Sequence, residues 1–328
     1  MYLSKIIKII CPSLYFKIHL GKFEKDFSSV ENKEEFVKKK YLSSFGYELN
    51  LDNPETFYEK INYLKLFYDE PNPEILVDKV LVKEYLKAKG YDCYVSKLIA
   101  SFDSANDFRL SIKNIGNKFR CFVVKTNHTS GDVFFYENGK WRDKKGHKTS
   151  KRYVFACLKY MLNFNYYHLA LEKVYLNIKP KIFIEEYIPS MNNLGLDEYK
   201  FFVNNGDIKL LNVVYGRQNK GKIKEAFTTP DLKVLPVNQG NEIIKQSEIK
   251  RPPCFDDMVS FCKNTVADRP LIRVDLMTDG KTFRFCEFTF YDCGGMNIFY
   301  PLEYNKIIGS YFDIGKCLLK SNKTIFKS

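Results

Sequence analysis

Asp275 and Glu287 stand 12 residues apart in two apolar runs, RVDLM and FCEFTF, on either side of an Asp279-Gly280 turn signal. Strand residues folded back at such a turn make a hairpin. Period-2 alternation then places Arg273 and Asp275 on one face of the first arm, and Glu287 and Thr289 on one face of the second. A carboxylate inside an apolar strand is costly unless it is paired or bound to a cation. Two arrangements meet that demand. One is a structural ion pair of Arg273 with Asp275 or Glu287. The other is a magnesium site, because that ion takes hard oxygen ligands from one or two carboxylates and completes its shell with phosphate oxygens and water. These residues alone leave both open.

A second group lies upstream. Lys125 ends the run FVVK and opens TNHTSGD. Backbone amides and the hydroxyls of Thr126 and Ser130, with Gly131 giving the turn its freedom, could face phosphates with Lys125 as a point charge. An ordinary turn with an exposed lysine fits the same letters. His128 could act as a base, touch phosphate, or bond locally. Glu185 and Glu186, followed by Tyr187 and Ile188, close the apolar run KIFIEEYI. A strand end leading into a loop can offer adenine a backbone donor, a backbone acceptor and an apolar slot, or can simply be a strand end. Lys200 in EYKFF and Arg217 in YGRQNK occupy strand positions and are secondary candidates for facing a ligand.

The elements that must carry these residues are readable in outline. Asn53 followed by Pro54 predicts an N-capped helix through Leu66, and Asn72-Pro73 predicts a second that carries DKVLVKEYLKAKG and stops at Gly90. From residue 94 short β-rich runs take over, at 94–102, 119–125 and 132–136, followed by a helical stretch at 149–171 and a strand at 181–188. Residues 198–216 predict a hairpin turning at Asn205-Gly206, residues 271–292 another, and residues 255–268 an amphipathic helix between them. The sum is an α+β architecture with a largely antiparallel sheet.

Composition bounds the function. At 328 residues, 45% hydrophobic and 28% charged, the chain has material for a large core and no need of a metal or disulfide staple. Its nine cysteines are scattered with no CxxC pair, and Cys121, Cys262 and Cys286 sit in apolar runs, which points to a reducing cytoplasm. The net charge of +13 is spread along the chain without a nucleic-acid motif, so a phosphorylated or polyanionic ligand or a membrane surface explains it as well. Lys5, Lys8, Pro12 and Lys17 interrupt the first apolar run short of a spanning length. Ile6, Ile7, Ile9 and Ile10 could form an amphipathic helix lying on an anionic bilayer, or a helix packed on the protein's own core.

Taken in order, from NPETFYEKINYLKLF to FCEFTFYDCGGM, these segments resemble the ATP-grasp superfamily, in particular its teichuronopeptide-biosynthesis (TupA-like) branch among surface-polysaccharide enzymes. The resemblance implies two α+β subdomains that grip ATP, with mostly antiparallel sheets. It divides the chain into an N-terminal helical region 1–92, a subdomain 93–188 with the phosphate loop, and a subdomain 189–328 with the metal hairpin and a C-terminal helix. It implies phosphate contacts for Lys79 and Lys125, a mobile phosphate loop from Thr126 to Gly131, and ATP contacts for Glu185, Glu186, Tyr187 and Ile188, with Glu186 and Ile188 meeting adenine largely through backbone atoms. Asp275 and Glu287 become magnesium ligands and Arg273 the contact for the transferred phosphate; Thr289 stands where many members have Asn. The implied activity is ATP- and magnesium-dependent joining of a carboxylate to an amine through an acyl phosphate. The branch suggests capsule, O-antigen or teichuronopeptide synthesis, with an amino acid joined to a uronic acid. A glycosyltransferase is the rival enzyme reading, although no DxD triplet occurs, and an inactive nucleotide-binding scaffold is the third.

Overall fold

The computed structural model describes residues 10–28, 32–188, 196–216, 223–266 and 269–317. The chain divides into two compact units, Met1–Val30 with Pro73–Pro189 and Glu31–Asn72 with Ser190–Ser328. The helices expected over residues 1–92 are thus shared between the two.

The first unit is built on six strands: β1 (Leu98–Phe102), β2 (Cys121–Thr126), β3 (Phe134–Glu137), β4 (Lys140–Asp143), β5 (Lys148–Thr149) and β6 (Ile182–Glu186). They pair antiparallel in the order β1-β6-β2-β3-β4-β5. Alternation sorts the two central strands. Phe122, Val124, Ile182 and Ile184 enter a core with Phe108 and Ile112 of the helix Ala105–Lys118 and Val154 and Leu158 of the helix Lys151–Met161. Val123, Lys125, Phe183 and Glu185 therefore take the other face. Phe16, on the helix Pro12–Ser28, joins the same core, so this part of the N-terminal segment packs on the protein itself. Residues 6, 7 and 9 of the amphipathic reading lie outside the described residues. Among the described residues, no helix is long and apolar enough to cross a membrane.

Two helix expectations need correction here. The stretch 149–171 is two helices, Lys151–Met161 and Tyr167–Ala170. The run after Asn72-Pro73 also breaks, into Glu74–Val77 and Leu81–Ala88. Asp78 is the cause: its Oδ1 accepts from the backbone N–H of Val80 at 2.7 Å and of Leu81 at 3.2 Å, satisfying amides that a continuous helix would have bonded internally. The expected stop holds, with Gly90 at φ +84°.

The second unit carries β7 (Asp197–Asn204), β8 (Asp207–Tyr215), β9 (Lys224–Thr228), β10 (Glu242–Ile243), β11 (Ile272–Thr278) and β12 (Phe283–Thr289) in the order β10-β9-β8-β7-β11-β12. Only the β9–β10 pairing among these is parallel. Asn205 (φ 50°) and Gly206 (φ 89°) join β7 to β8, the left-handed pair that a two-residue hairpin turn requires. One face of the sheet packs on the helix Phe255–Val266, where Phe255 meets Tyr199 and Phe201, and Phe261 meets Phe285.

The helix expected from Asn53 starts later, at Phe57. Thr56 is its cap: the hydroxyl accepts from the Glu59 amide, and the Glu59 carboxylate accepts from the Thr56 amide at 2.8 Å. Such a box satisfies two otherwise orphaned N–H groups, which Asn53 cannot do from outside the turn. All nine cysteines are free thiols; Cys262 is buried, while Cys121 and Cys286 are half-buried.

Candidate functional site

In the first unit the site centres on Glu185. Its carboxylate lies between two ammonium groups, that of Lys125 on one oxygen and that of Lys83 at 2.8 Å on the other. Burial alone would raise its pKa, but Lys125 and Lys83 bring it down to about 2, so it is a fixed anion. Lys83 was not marked by any motif; it lies on the helix Leu81–Ala88, four residues beyond Lys79, which precedes that helix. Lys79 itself donates to the carbonyl of Thr129 at 2.8 Å.

The segment after Lys125 is tightly bonded. Asp132 accepts from the Thr126 hydroxyl at 2.6 Å and from the Thr129 hydroxyl, and Asn127 bridges Asp78 at 2.7 Å and the carbonyl of Lys179 at 3.0 Å. Thr126 to Thr129 are buried, whereas Ser130 and Gly131 are exposed. Gly131 has φ +98°, and a Cβ there would press on the Lys144 ammonium. His128 is buried with Nδ1 toward Asn127 and Nε2 toward the Phe164 carbonyl, and burial depresses its pKa. Glu186 accepts from the Lys97 amide at 3.1 Å, Tyr187 sets its ring edge-on to Phe135, and Ile188 is half-buried.

In the second unit the hairpin brings its residues into direct register. Arg273 pairs with Thr289 and Asp275 with Glu287, and on the other side Asp275 pairs with Lys200 of β7. A row Glu287, Asp275, Lys200 therefore runs across three neighbouring strands, with Arg273 and Thr289 one step along. A β-bulge between Asp275 and Leu276 breaks strict alternation on β12: Phe285 and Phe288, whose rings lie 4.6 Å apart, share the helix side, and Glu287 turns to the other.

Arg273 is the hub. It grips Asp275 with two bonds, Nε to Oδ1 at 2.6 Å and NH2 to Oδ2 at 2.7 Å, donates to the Thr289 hydroxyl at 3.1 Å, and binds Asp292 through NH1. Burial would favour the neutral form, but Asp275 and Asp292 hold its pKa well above the ordinary value. The ion pair allowed by the sequence is thus present. Glu287 stays apart: its side chain is 38% exposed and its carboxylate is 3.9 Å from Arg273. Among the described residues no three His, Cys, Asp or Glu side chains cluster as a metal cage.

Asp292 is a residue the sequence reading passed over, although it follows the hairpin directly. It accepts from the Tyr58 hydroxyl at 2.8 Å. Tyr58, Asn62 and Lys65 share one face of the helix Phe57–Phe67, and the last two reach the carbonyls of Gly295 and Gly294, each at 2.7 Å. Beside this turn a cavity of ≈ 270 Å³ is lined by Arg273, Asp292, Lys200, Asn212, Glu225 and Gln239, among others. Arg217 lies outside the described residues.

Residues 59–313 match the family model described as TupA-like ATP-grasp, and the chain belongs to that family. No curated protein matches the chain. Among solved structures it is similar to the Bacillus anthracis D-alanine–D-alanine ligase complexed with ATP, at 14% identity over 76% of this chain and 68% of that one, TM-score 0.42. The ATP-grasp ligase PsnB complexed with a minimal precursor aligns at 10% identity over 68% of this chain, TM-score 0.36, and this chain spans 54% of that protein. The D-cycloserine synthetase DcsG aligns at 14% identity over 72% and 69% of the two chains, TM-score 0.35.

Proposed function

We infer that the protein is an ATP-dependent ligase that phosphorylates a carboxylate and joins it to an amine as an amide. The observation that carries this reading is the row Glu287, Asp275, Lys200 with Arg273 beside it, two carboxylates and two cations on one sheet face. A carboxylate is a poor electrophile, and phosphorylation turns its oxygen into a leaving group.

In this reading Lys79, Lys125, Thr126, Ser130 and Gly131 serve the ATP phosphates. Glu185, Glu186, Tyr187 and Ile188 serve the base and sugar. Arg273 and Lys200 stabilise charge on the phosphoryl group in flight and on the carboxylate that receives it. Asp275, Glu287 and Thr289 offer only hard oxygen donors and Glu287 carries no competing hydrogen bond among the described residues, so the set fits magnesium once Asp275 turns from Arg273, which holds both its oxygens. When bound, that ion would neutralise phosphate charge. The family supports placing the substrate in cell-surface polysaccharide synthesis, with a uronic acid as the carboxylate and an amino acid as the amine, on the cytoplasmic side where ATP is supplied.

Oxygen-18 placed in the substrate carboxylate should appear in the released phosphate. Candidate pairs are screened for ADP release, with the amide detected by mass. Label retained wholly in product would replace the acyl phosphate by a transferase route, and label in released AMP by an adenylating one. Asp275→Asn and Glu287→Gln should each abolish magnesium-dependent ADP release; Glu287→Gln should melt as the parent does, whereas Asp275→Asn, which breaks the buried pair with Arg273, should melt lower.

A further inference from the structure

The cavity beside Arg273 holds three polar groups whose bonding is unfinished. Lys200 lines it, and among the described residues no hydrogen bond or ion pair reaches its ammonium. Asn212, opposite Lys200 in the β7–β8 register, is 5% exposed, and its amide nitrogen has no hydrogen-bond partner. Glu225 is on β9, one strand further, and is 6% exposed. Its carboxylate accepts one bond, from the Gln239 backbone amide at 3.1 Å, and among the described residues no cationic side chain pairs with it.

The two buried ones, Asn212 and Glu225, are expensive to leave as they are. A buried amide donor without an acceptor costs about 1–3 kcal/mol, and a buried carboxylate without a cation costs more. The cavity thus gathers two donors and, one strand further, a carboxylate that no cation of the described residues pairs with. The volume of ≈ 270 Å³ falls just below the range of about 300–1,000 Å³ that drug-sized ligands occupy, so the occupant is small.

We propose that this cavity binds a free amino acid as its zwitterion, the carboxylate on Lys200 and the Asn212 amide and the ammonium on Glu225. A hydroxylated acid would satisfy Lys200 equally, but it offers Glu225 a neutral hydrogen bond and leaves the buried charge uncompensated. The proposal rests on the ligase reading only for its role, which is to supply one of the two substrates; the binding itself does not need that reading.

The test is isothermal titration of the full chain with L-alanine, L-serine, L-glutamate, L-lysine and D-alanine, against lactate and glycolate as hydroxyl-bearing acids without an ammonium. At least one amino acid should bind, and lactate and glycolate should bind at least roughly tenfold more weakly. Glu225→Gln and Asn212→Asp, the latter giving Lys200 an internal partner, should each weaken that amino acid by a similar factor, and Glu225→Gln should leave ATP binding intact. Should Glu225→Gln fail to melt cooperatively, Asn212→Asp carries the test. Absence of amino-acid binding, equal binding of lactate or glycolate, or affinity unmoved by the variants would overturn the proposal. Failure of the parent protein to bind ATP would instead overturn the ligase reading, whatever the amino-acid result.

Discussion

Arg273 and Asp292 form a buried ion pair that ties strand β11 to the turn following β12. Asp292 is held in turn by the Tyr58 hydroxyl, and Tyr58 by the side-chain amide of Gln239. The guanidinium is thereby fixed from two sides, by Asp275 within its own strand and by Asp292 from outside it. With two anionic partners, Arg273 keeps its place if Asp275 turns to a metal ion.

Removing one partner of a buried charge pair leaves the other uncompensated, at a cost of about 3–5 kcal/mol. Asp292→Asn should fall near the lower figure, because the amide oxygen can still accept one bond, and Tyr58→Phe should lose about 1 kcal/mol. Urea denaturation of both variants measures this; an Asp292→Asn midpoint equal to that of the parent would remove the pair from the account.

Arg273→Met should bind ATP nearly as the parent does and lose turnover far more than affinity. The reason is that a cation aimed at the moving phosphoryl group acts more strongly on the transition state than on bound ATP. Comparing ATP titration with ADP release separates the two effects, and an equal loss in both would make Arg273 a ground-state contact.

Lys125→Ala and Lys79→Ala should each weaken ATP by about 1.5–3 kcal/mol, or roughly 10- to 100-fold. Lys125 has a second job, since it is an ion-pair partner of Glu185. Its variant should therefore also melt lower than the parent. Unchanged ATP affinity in both variants would count against nucleotide binding on this unit.

Glu185 carries a pH signature. Its folded pKa of about 2 lies below its ordinary value of 4.5, so the carboxylate stabilises the fold above pH 4.5 and that contribution is lost as the pH falls toward 2. The amount is roughly 3 kcal/mol. Glu185→Gln should flatten this part of the stability profile, and an unaltered acid limb would show that other carboxylates govern it.

Gly309→Ala should be strongly destabilising although alanine favours helices, because the added methyl would fall on the carbonyl oxygen of Glu55. Overpacking of this kind costs about 1–3 kcal/mol. A melting temperature at or above that of the parent would mean that the helix Tyr304–Ser310 shifts freely.

The sequence by itself determined what depends on local repetition and turn chemistry. Alternation and Asn205-Gly206 fix the β7–β8 hairpin, and RVD with the glutamate across the turn fixes a paired-carboxylate hairpin. The free energies involved arise between neighbours in the chain, so their pattern survives in the letters. Helix starts were less legible, because Asn53 and Thr56 both have capping chemistry and only Thr56 stands three residues before a glutamate. Tertiary structure decided the rest. Tyr58 and Asp292 are 234 positions apart, and Asn212, Glu225 and Lys200 come together only through strand order. Whether a carboxylate is neutralised, and by what, depends on charges delivered through space by other elements, and no spacing within one segment records that.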